Sequence, residues 1–419
     1  MPQAPRKTIS PVVSSSTRQP PYYIKAIAMA VPALMLGFQI SGWIFFSASI
    51  RDGHPDFRAN YSAGYLVRTG HAGDVYSYDA AKKLQDAIIS REVVGMPFIH
   101  PAYEALFFAP YSLLGFHGAY FAFLATNLLI LFFCYRGLRD RLKGLAQTWP
   151  LLPVAVWITF LPIAAALMQE QDSIILLGLL SLAASRLDRN DEFKAGCLVG
   201  LGLFRLQLVI PIAVAFLLWR RWRFVTGFAV TGALALAASV WLTGTAATKT
   251  YLAELASMSY GGSAVERMRY YQPITHMGNL RAFTFGVTSS WLSTTWVQVL
   301  TVGLSALVML WLLVFNRRTR GSEALLVAIT ASIIVSYHCF IHDMSILVLP
   351  VAIALSAALS SWESGNPDKL LAITSALMFT APALIVWAPY HFYLILLAQV
   401  AFLFALMRSF RPKTESCYS

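Results

Sequence analysis

The sequence predicts an all-α polytopic membrane protein, and three observations carry that reading. Of its 419 residues, 57% are hydrophobic and 12% charged, with a mean hydropathy of +0.61; soluble domains carry about twice that charged share. Apolar runs of roughly 18 or more residues, enough to cross a bilayer as a helix, recur from end to end. The runs are continuous instead of alternating, which argues against a barrel and leaves helices as the way to satisfy every backbone group in lipid.

Basic clusters orient the elements. Residues 1–25, rich in Pro, Ser, Gln and Thr, read as a disordered cytoplasmic tail. Arg6, Lys7, Arg18 and Lys25 precede the first span, 26–50, and hold its start inside; the run is too long for a cleaved signal core. An outer loop, 51–116, follows, with polar residues through about position 101. Within it, 57–68 and 78–93 mix apolar and charged positions at helical spacing, as surface-lying helices do. Spans are predicted near 117–135, 149–167 and 173–186, with Arg136, Arg139, Arg141, Lys143, Arg186, Arg189 and Lys194 at their inner ends.

The stretch 195–219 breaks the count. A single crossing would put Arg220, Arg221 and Arg223 outside, and would place Arg205 in mid-span, at a cost of about 2.5–3.5 kcal/mol on insertion scales. Two half-helices with Arg205 at the tip resolve both conflicts, in the manner of broken helices that line a cavity. Further spans are expected near 224–243, 292–315, 322–340, 344–361, 369–388 and 390–408, with a second outer loop at 244–291 and a cytoplasmic tail at 411–419. The reading is one transmembrane domain, 26–410, of about ten to twelve helices, including a re-entrant or broken helix and loop helices on the outer face.

The net charge of +12 sits in short clusters between apolar runs, which is a topology signal and not a nucleic-acid footprint. Cys134, Cys197, Cys339 and Cys417 are scattered and form neither a disulfide framework nor a zinc pattern. No phosphate-binding loop or dinucleotide turn occurs. No metal site and no cofactor are therefore expected. A two-histidine site at His338 and His342 lacks an evident third ligand.

Five distant polar positions converge on the outer side under this topology. Asp56, after His54-Pro55, is either a helix N-cap or a general base that deprotonates an acceptor hydroxyl. Arg205 has no carboxylate nearby in sequence, which favours contact with a phosphate. His342 and Asp343 are either a packed pair at a helix end or a phosphate- and acceptor-orienting pair. Gln171 and Asp172 lie in an abrupt polar link between apolar runs, and His276 and Asn279 in a longer loop where polar residues are ordinary. Tyr61, Tyr270 and Tyr271 are candidates for stacking on sugar rings, although aromatics are common at membrane interfaces.

Asp56-Phe57 with Asn60-Tyr61, Val75-Tyr76, His100-Pro101 before Phe107-Phe108-Ala109-Pro110, Gln171-Asp172, the run from Ala195-Gly196 to Arg205, Asn279-Leu280 and Asp343 together resemble glycosyltransferase family 87, within the GT-C superfamily. The resemblance covers roughly 40–360. It implies a GT-C fold and transfer of a hexose, mannose in the family's pattern, from a polyprenyl-phosphate sugar. The acceptor would be a lipid or glycan at the outer face of a bacterial cytoplasmic membrane, and the active site would face the periplasm. It implies Asp56 as general base; the residues themselves suggest Arg205 and His342 at the donor phosphate, and Tyr61, Gln171, Asp172, His276, Asn279 and Asp343 as substrate-binding residues. Glu170-Gln171 stands where the family shows Gly-Gln, and Arg205 where it shows Lys, which leaves the sugar and acceptor open. The competing reading is a transporter or flippase of lipid-linked glycans, for which broken helices and a buried Arg are equally suitable.

Overall fold

The computed structural model describes residues 21–90, 95–257, 274–316, 321–363 and 365–410. Residues 1–20 of the tail predicted at 1–25, the tail at 411–419, and Tyr270 and Tyr271 lie outside them, while Tyr22–Lys25 belong to the first helix. Regular structure among the described residues is helical, without strands. The chain begins with α1 (Tyr22–Arg51) and enters the outer loop through α2 (Phe57–Arg68), α3 (Tyr78–Ile88) and α4 (Tyr103–Phe108). It continues through α5 (Phe116–Leu138), α6 (Lys143–Thr148), α7 (Leu152–Thr159), α8 (Leu161–Gln169) and α9 (Ser173–Asp188). Next come α10 (Glu192–Leu201), α11 (Leu206–Leu218) and α12 (Trp222–Ser257). The C-terminal part holds α13 (Leu280–Thr288), α14 (Thr294–Asn316), α15 (Ser322–Val335), α16 (Val348–Glu363), α17 (Lys369–Thr380), α18 (Leu384–Trp387) and α19 (Ile395–Ser409).

Among the described residues, eight helices are long and apolar enough to cross a membrane, or up to nine if the pair α7–α8, bent by 50°, is one span. That is fewer than the ten to twelve expected. The shortfall comes from α9, with 16 residues, and α15, with 14, which are apolar but short. Both start or finish beside Asp188: Ser322 N donates to its Oδ1, and Arg141 pairs with its Oδ2. The α7–α8 bend falls at Phe160, where Pro162 begins a new helix and removes a backbone donor from the preceding one.

The hairpin at 192–218 is present. The run Glu192–Leu218 has the length and apolarity of a crossing, and a straight 27-residue helix would hold its ends about 40 Å apart. Instead, Arg221 Nη1 reaches the Glu192 carboxylate at 2.5 Å. The two ends meet, so the chain rises along α10, turns through a 3-10 segment at Gly202–Arg205, and returns along α11. A second contact agrees: α12 starts beside the foot of α10, where a Cβ on Gly196 would strike the Phe224 carbonyl and one on Gly227 the Phe193 carbonyl. Small residues let helices approach this closely. Gly196→Ala is expected to force α10 and α12 apart and destabilise the protein by about 1–3 kcal/mol, read as an earlier thermal unfolding transition in detergent. An unchanged transition would refute the backbone-to-backbone approach.

Two expectations are corrected. The second outer loop does not begin as loop: α12 continues to Ser257 across a kink at Gly244, whose φ of 79° suits glycine, and Tyr251 stacks on Tyr76 of the first loop. Nor does the span expected near 322–340 run its full length as helix: α15 ends at Val335, and His338 lies in irregular chain.

The result is a bundle with two chemically distinct ends. One carries Arg141–Asp188, Glu192–Arg221 and the contact of Ser409 with Asp368. The other carries Asp56, the α8–α9 turn, the tip at Arg205 and the segment before α16. Between them lies one large apolar core, in which α15 is almost wholly buried and α9 and α16 are mostly so.

Candidate active site

The site is built from turns, because helix ends leave backbone groups free to fix polar side chains. Asp56 occupies the residue before α2, yet its side chain makes no capping bond. Its carboxylate Oδ2 instead accepts from Gln171 Nε2 at 2.6 Å, and its backbone N–H donates to Gln169 Oε1 at 3.0 Å. Two side chains of the α8–α9 turn thus hold one residue 113 and 115 positions earlier.

Gln171 also joins Asp56 to Arg205, since its Oε1 accepts from Arg205 Nη2. The Arg205 guanidinium is bound on its other edges by Asp172 Oδ1, through Nε and Nη2, and by Asp343 Oδ1, at 3.0 Å from Nη1. Asp343 is itself fixed by the Phe340 backbone N–H at 2.9 Å. Asp172 and Asp343 are fully buried and Arg205 is 4% exposed. Arg205 therefore does have carboxylate partners, contributed by α8–α9 and the start of α16, which no local reading of its sequence neighbourhood includes.

The network extends to two residues outside the predicted set. His100 Nδ1 lies 2.6 Å from Glu104 Oε2 and 3.1 Å from Asp172 Oδ2. Glu104 is 4% exposed. In the sequence His100 stands only within a motif, and Glu104 stands in none. His100 precedes α4, which starts at Tyr103, so no helical spacing links it to Glu104, and the sequence carries no signal for the pair. Burial opposes charge on His100, but Glu104 and Asp172 outweigh it and raise its pKa; burial likewise raises Glu104, with Asp172 adding to the rise against the pull of His100. Burial opposes the charge of Asp172 too, yet Arg205 and His100 overcome it and hold that carboxyl ionised.

Burial also raises the pKa of Asp56, opposed by His342, Arg205 and the Gln171 hydrogen bond. His342, 8% exposed and 3.7 Å from Asp343 through Nε2, is lowered by burial despite Asp343. At neutral pH it is a hydrogen-bonding ring more than a cation.

Three predicted residues lie apart from the Arg205 network, with partners of their own. Tyr61, 3% exposed, donates to the Leu114 carbonyl at 2.9 Å and packs on Phe57 and Phe116. Asn279 caps α13 by accepting from Ala282 N–H and ties it to the Ser336 carbonyl, both at 2.9 Å. His276 lies in a short 3-10 turn with its ring 5.1 Å from that of Tyr390, and no bond joins it to the Arg205 network among the described residues.

Beside the network, Glu170 takes a left-handed conformation, φ 51°, and buries its carboxyl against Asn127 Nδ2 at 2.9 Å. Burial pushes its pKa up to about 9, so it is a neutral acid at pH 7. A raised folded-state pKa means that the folded form binds the extra proton between pH 4.5 and about 9, and that stability falls as pH rises across that window. Glu170→Gln is expected to keep the wild-type transition near pH 6 and to lose part of the decline toward pH 9. A wild-type pH slope in the variant would refute this.

Fold and site define a class: a multi-pass membrane protein whose ionisable side chains converge at one end of its bundle. The model of glycosyltransferase family 87 matches residues 98–350, more than half of the chain, and the chain belongs to that family. It is a membrane glycosyltransferase. No curated protein and no solved structure matches it. The matched region includes His100, Glu104, Gln171, Asp172, Arg205, His276, Asn279, His342 and Asp343, while Asp56 and Tyr61 precede it.

Proposed function

We propose that this enzyme transfers a hexose, mannose by family resemblance, from a polyprenyl-phosphate sugar to a lipid or glycan acceptor. The reaction takes place on the extracytoplasmic face of a bacterial cytoplasmic membrane, with Asp56 as general base. The observation that carries the reading is the Asp56–Gln171–Arg205 chain of hydrogen bonds. It brings a carboxylate with a raised pKa and a permanent cation to one end of an apolar bundle. The end bearing Arg139, Arg141, Arg220, Arg221 and Arg223 would be cytoplasmic by the positive-inside rule, which puts the site outside.

The chemistry follows from what each partner lacks. An acceptor hydroxyl is a poor nucleophile until a base takes its proton; Asp56 takes it as the oxygen attacks the anomeric carbon and the bond to the lipid phosphate breaks. The departing phosphate gathers negative charge and needs positive charge or N–H donors in place beforehand. We place it beside Arg205 and His342, with Gln171, Asp172 and Asp343 fixing the geometry. No nucleotide is required, because the lipid phosphate is the leaving group. The transporter reading has no support here: its ionisable residues would be spread along a path across the membrane, whereas these collect at one end.

The test is incubation of the purified protein with radiolabelled polyprenyl-phosphate mannose and membrane lipid extract, next to Asp56→Asn. Labelled product from wild type and none from the variant supports the proposal. Equal labelling by both removes Asp56 as base, and none from either with any polyprenyl-phosphate hexose removes the donor assignment.

A further inference from the structure

Four carboxylates, from Asp56, Glu104, Asp172 and Asp343, are gathered around one guanidinium and two imidazoles. Arg205 is committed to Asp172, Asp343 and Gln171. A donor phosphate entering this end brings another negative charge, and Arg205 has no surplus to offset it. Isolated anions in a buried setting are costly unless paired or bound to a metal.

The triad of His100, Glu104 and Asp172 answers that need. Their ligand atoms all lie within 4.8 Å of one another. Nδ1 of His100 carries at most one proton, yet it faces two carboxylates, at 2.6 Å and 3.1 Å. The shorter approach is the hydrogen bond to Glu104. Asp172 Oδ2 is left without a donor among the described residues although its side chain is fully buried, and Glu104 Oε1 is equally unpartnered. Arg205 holds the other Asp172 oxygen and thereby presents Oδ2 to His100. Ligand–metal bonds of about 2.0–2.2 Å need donor atoms about 3 Å apart, which the His100–Asp172 contact meets as it stands and the His100–Glu104 contact meets after a small spreading. The ligands are also held from behind: Tyr76 donates to the His100 carbonyl at 2.9 Å, and Arg205 anchors Asp172, the outer contacts that orient metal ligands.

We propose that His100 Nδ1, the Glu104 carboxylate and Asp172 Oδ2 bind one divalent cation of the Mn2+ or Zn2+ class, which one nitrogen and carboxylate oxygens suit. This replaces the expectation of a metal-free site. The cation's service as counter-charge to the lipid phosphate rests on the transferase reading above; its binding does not.

The test uses the full chain in detergent, stripped with EDTA and then titrated with Mn2+ alone, free ion being followed by electron paramagnetic resonance and displacement by Zn2+. Wild type is expected to bind one ion per chain. Glu104→Gln and His100→Ala, where monodisperse, are expected to weaken binding tenfold or more, whereas Asp140→Asn, exposed at the opposite end, binds as wild type. Glu104→Gln keeps an oxygen for His100 and guards against an unfolded alanine variant. Absence of stoichiometric binding, or undiminished binding in folded Glu104→Gln, overturns the site and shows an ion network balanced by protons alone. A second arm adds polyprenyl-phosphate mannose with and without Mn2+. Intact ion binding without sugar transfer removes polyprenyl-phosphate mannose as the donor and leaves the cation site standing.

Discussion

Asp56→Asn is expected to reduce sugar transfer by about 10²–10⁴, the usual contribution of a positioned general base, while leaving the fold intact. The fold should survive because no cap is lost: the Asp56 side chain makes no bond to α2. An asparagine Oδ1 can still accept from Gln171 Nε2, and the backbone bond to Gln169 is unaffected. What disappears is the capacity to take a proton. The pH profile provides a second readout. Since burial raises the Asp56 pKa, wild-type rates should fall with decreasing pH through a value above the ordinary range for aspartate, as the base becomes protonated. The residual rate of the variant should lack that acidic limb. Single-turnover rates from pH 5 to 8 with a saturating polyprenyl-phosphate sugar measure both. A variant of wild-type rate, or one that retains the limb, would show that another group takes the proton.

Arg205→Ala is expected to be the most damaging single change to stability. It strands Asp172 and Asp343, both fully buried, and removal of one partner of a buried ion pair typically costs about 3–5 kcal/mol. It also frees Gln171, so Asp56 loses its orientation at the same time. Thermal unfolding in detergent should move sharply downward, and transfer should vanish. Arg205→Lys keeps the charge but not the fork; a point charge cannot serve Asp172, Asp343 and Gln171 in their present directions. That variant should fold with reduced stability and transfer slowly. Arg205→Ala combined with Asp172→Asn should recover part of the lost stability, because one stranded charge is gone. An Arg205→Ala protein as stable as wild type would mean that these carboxylates carry no charge in the folded state.

The distribution of apolar runs foretold the helices well, since a bilayer-spanning helix must be apolar over most of its length whatever its neighbours. The hairpin at Arg205 was legible for a related reason: a charge in mid-run and a basic cluster on the wrong side violate two independent costs, and one turn relieves both. Asp56, Gln171, Asp172 and Asp343 were legible as polar interruptions with no local purpose. Tyr61 and Asn279 read as ligand-binding residues, and in the structure the hydroxyl of the one and the amide of the other each bond to a backbone carbonyl. A hydroxyl that bonds a carbonyl 53 residues away, or an amide that bonds one 57 residues away, has the same appearance in sequence as one that waits for a sugar.

Glu104 shows where linear reading stops. In the segment Tyr103–Phe108 it has the character of an ordinary charged position on a short surface helix. It becomes part of the site only because Asp172, 68 positions later and carried by a different turn, is packed against His100. The identity of the helices and their order follow from solvent preference, which each residue expresses alone and which adds along the chain. The partnering of charges does not, because a buried carboxylate is defined by whichever cation the packed helices bring to it, and that distance exists only once the bundle has closed.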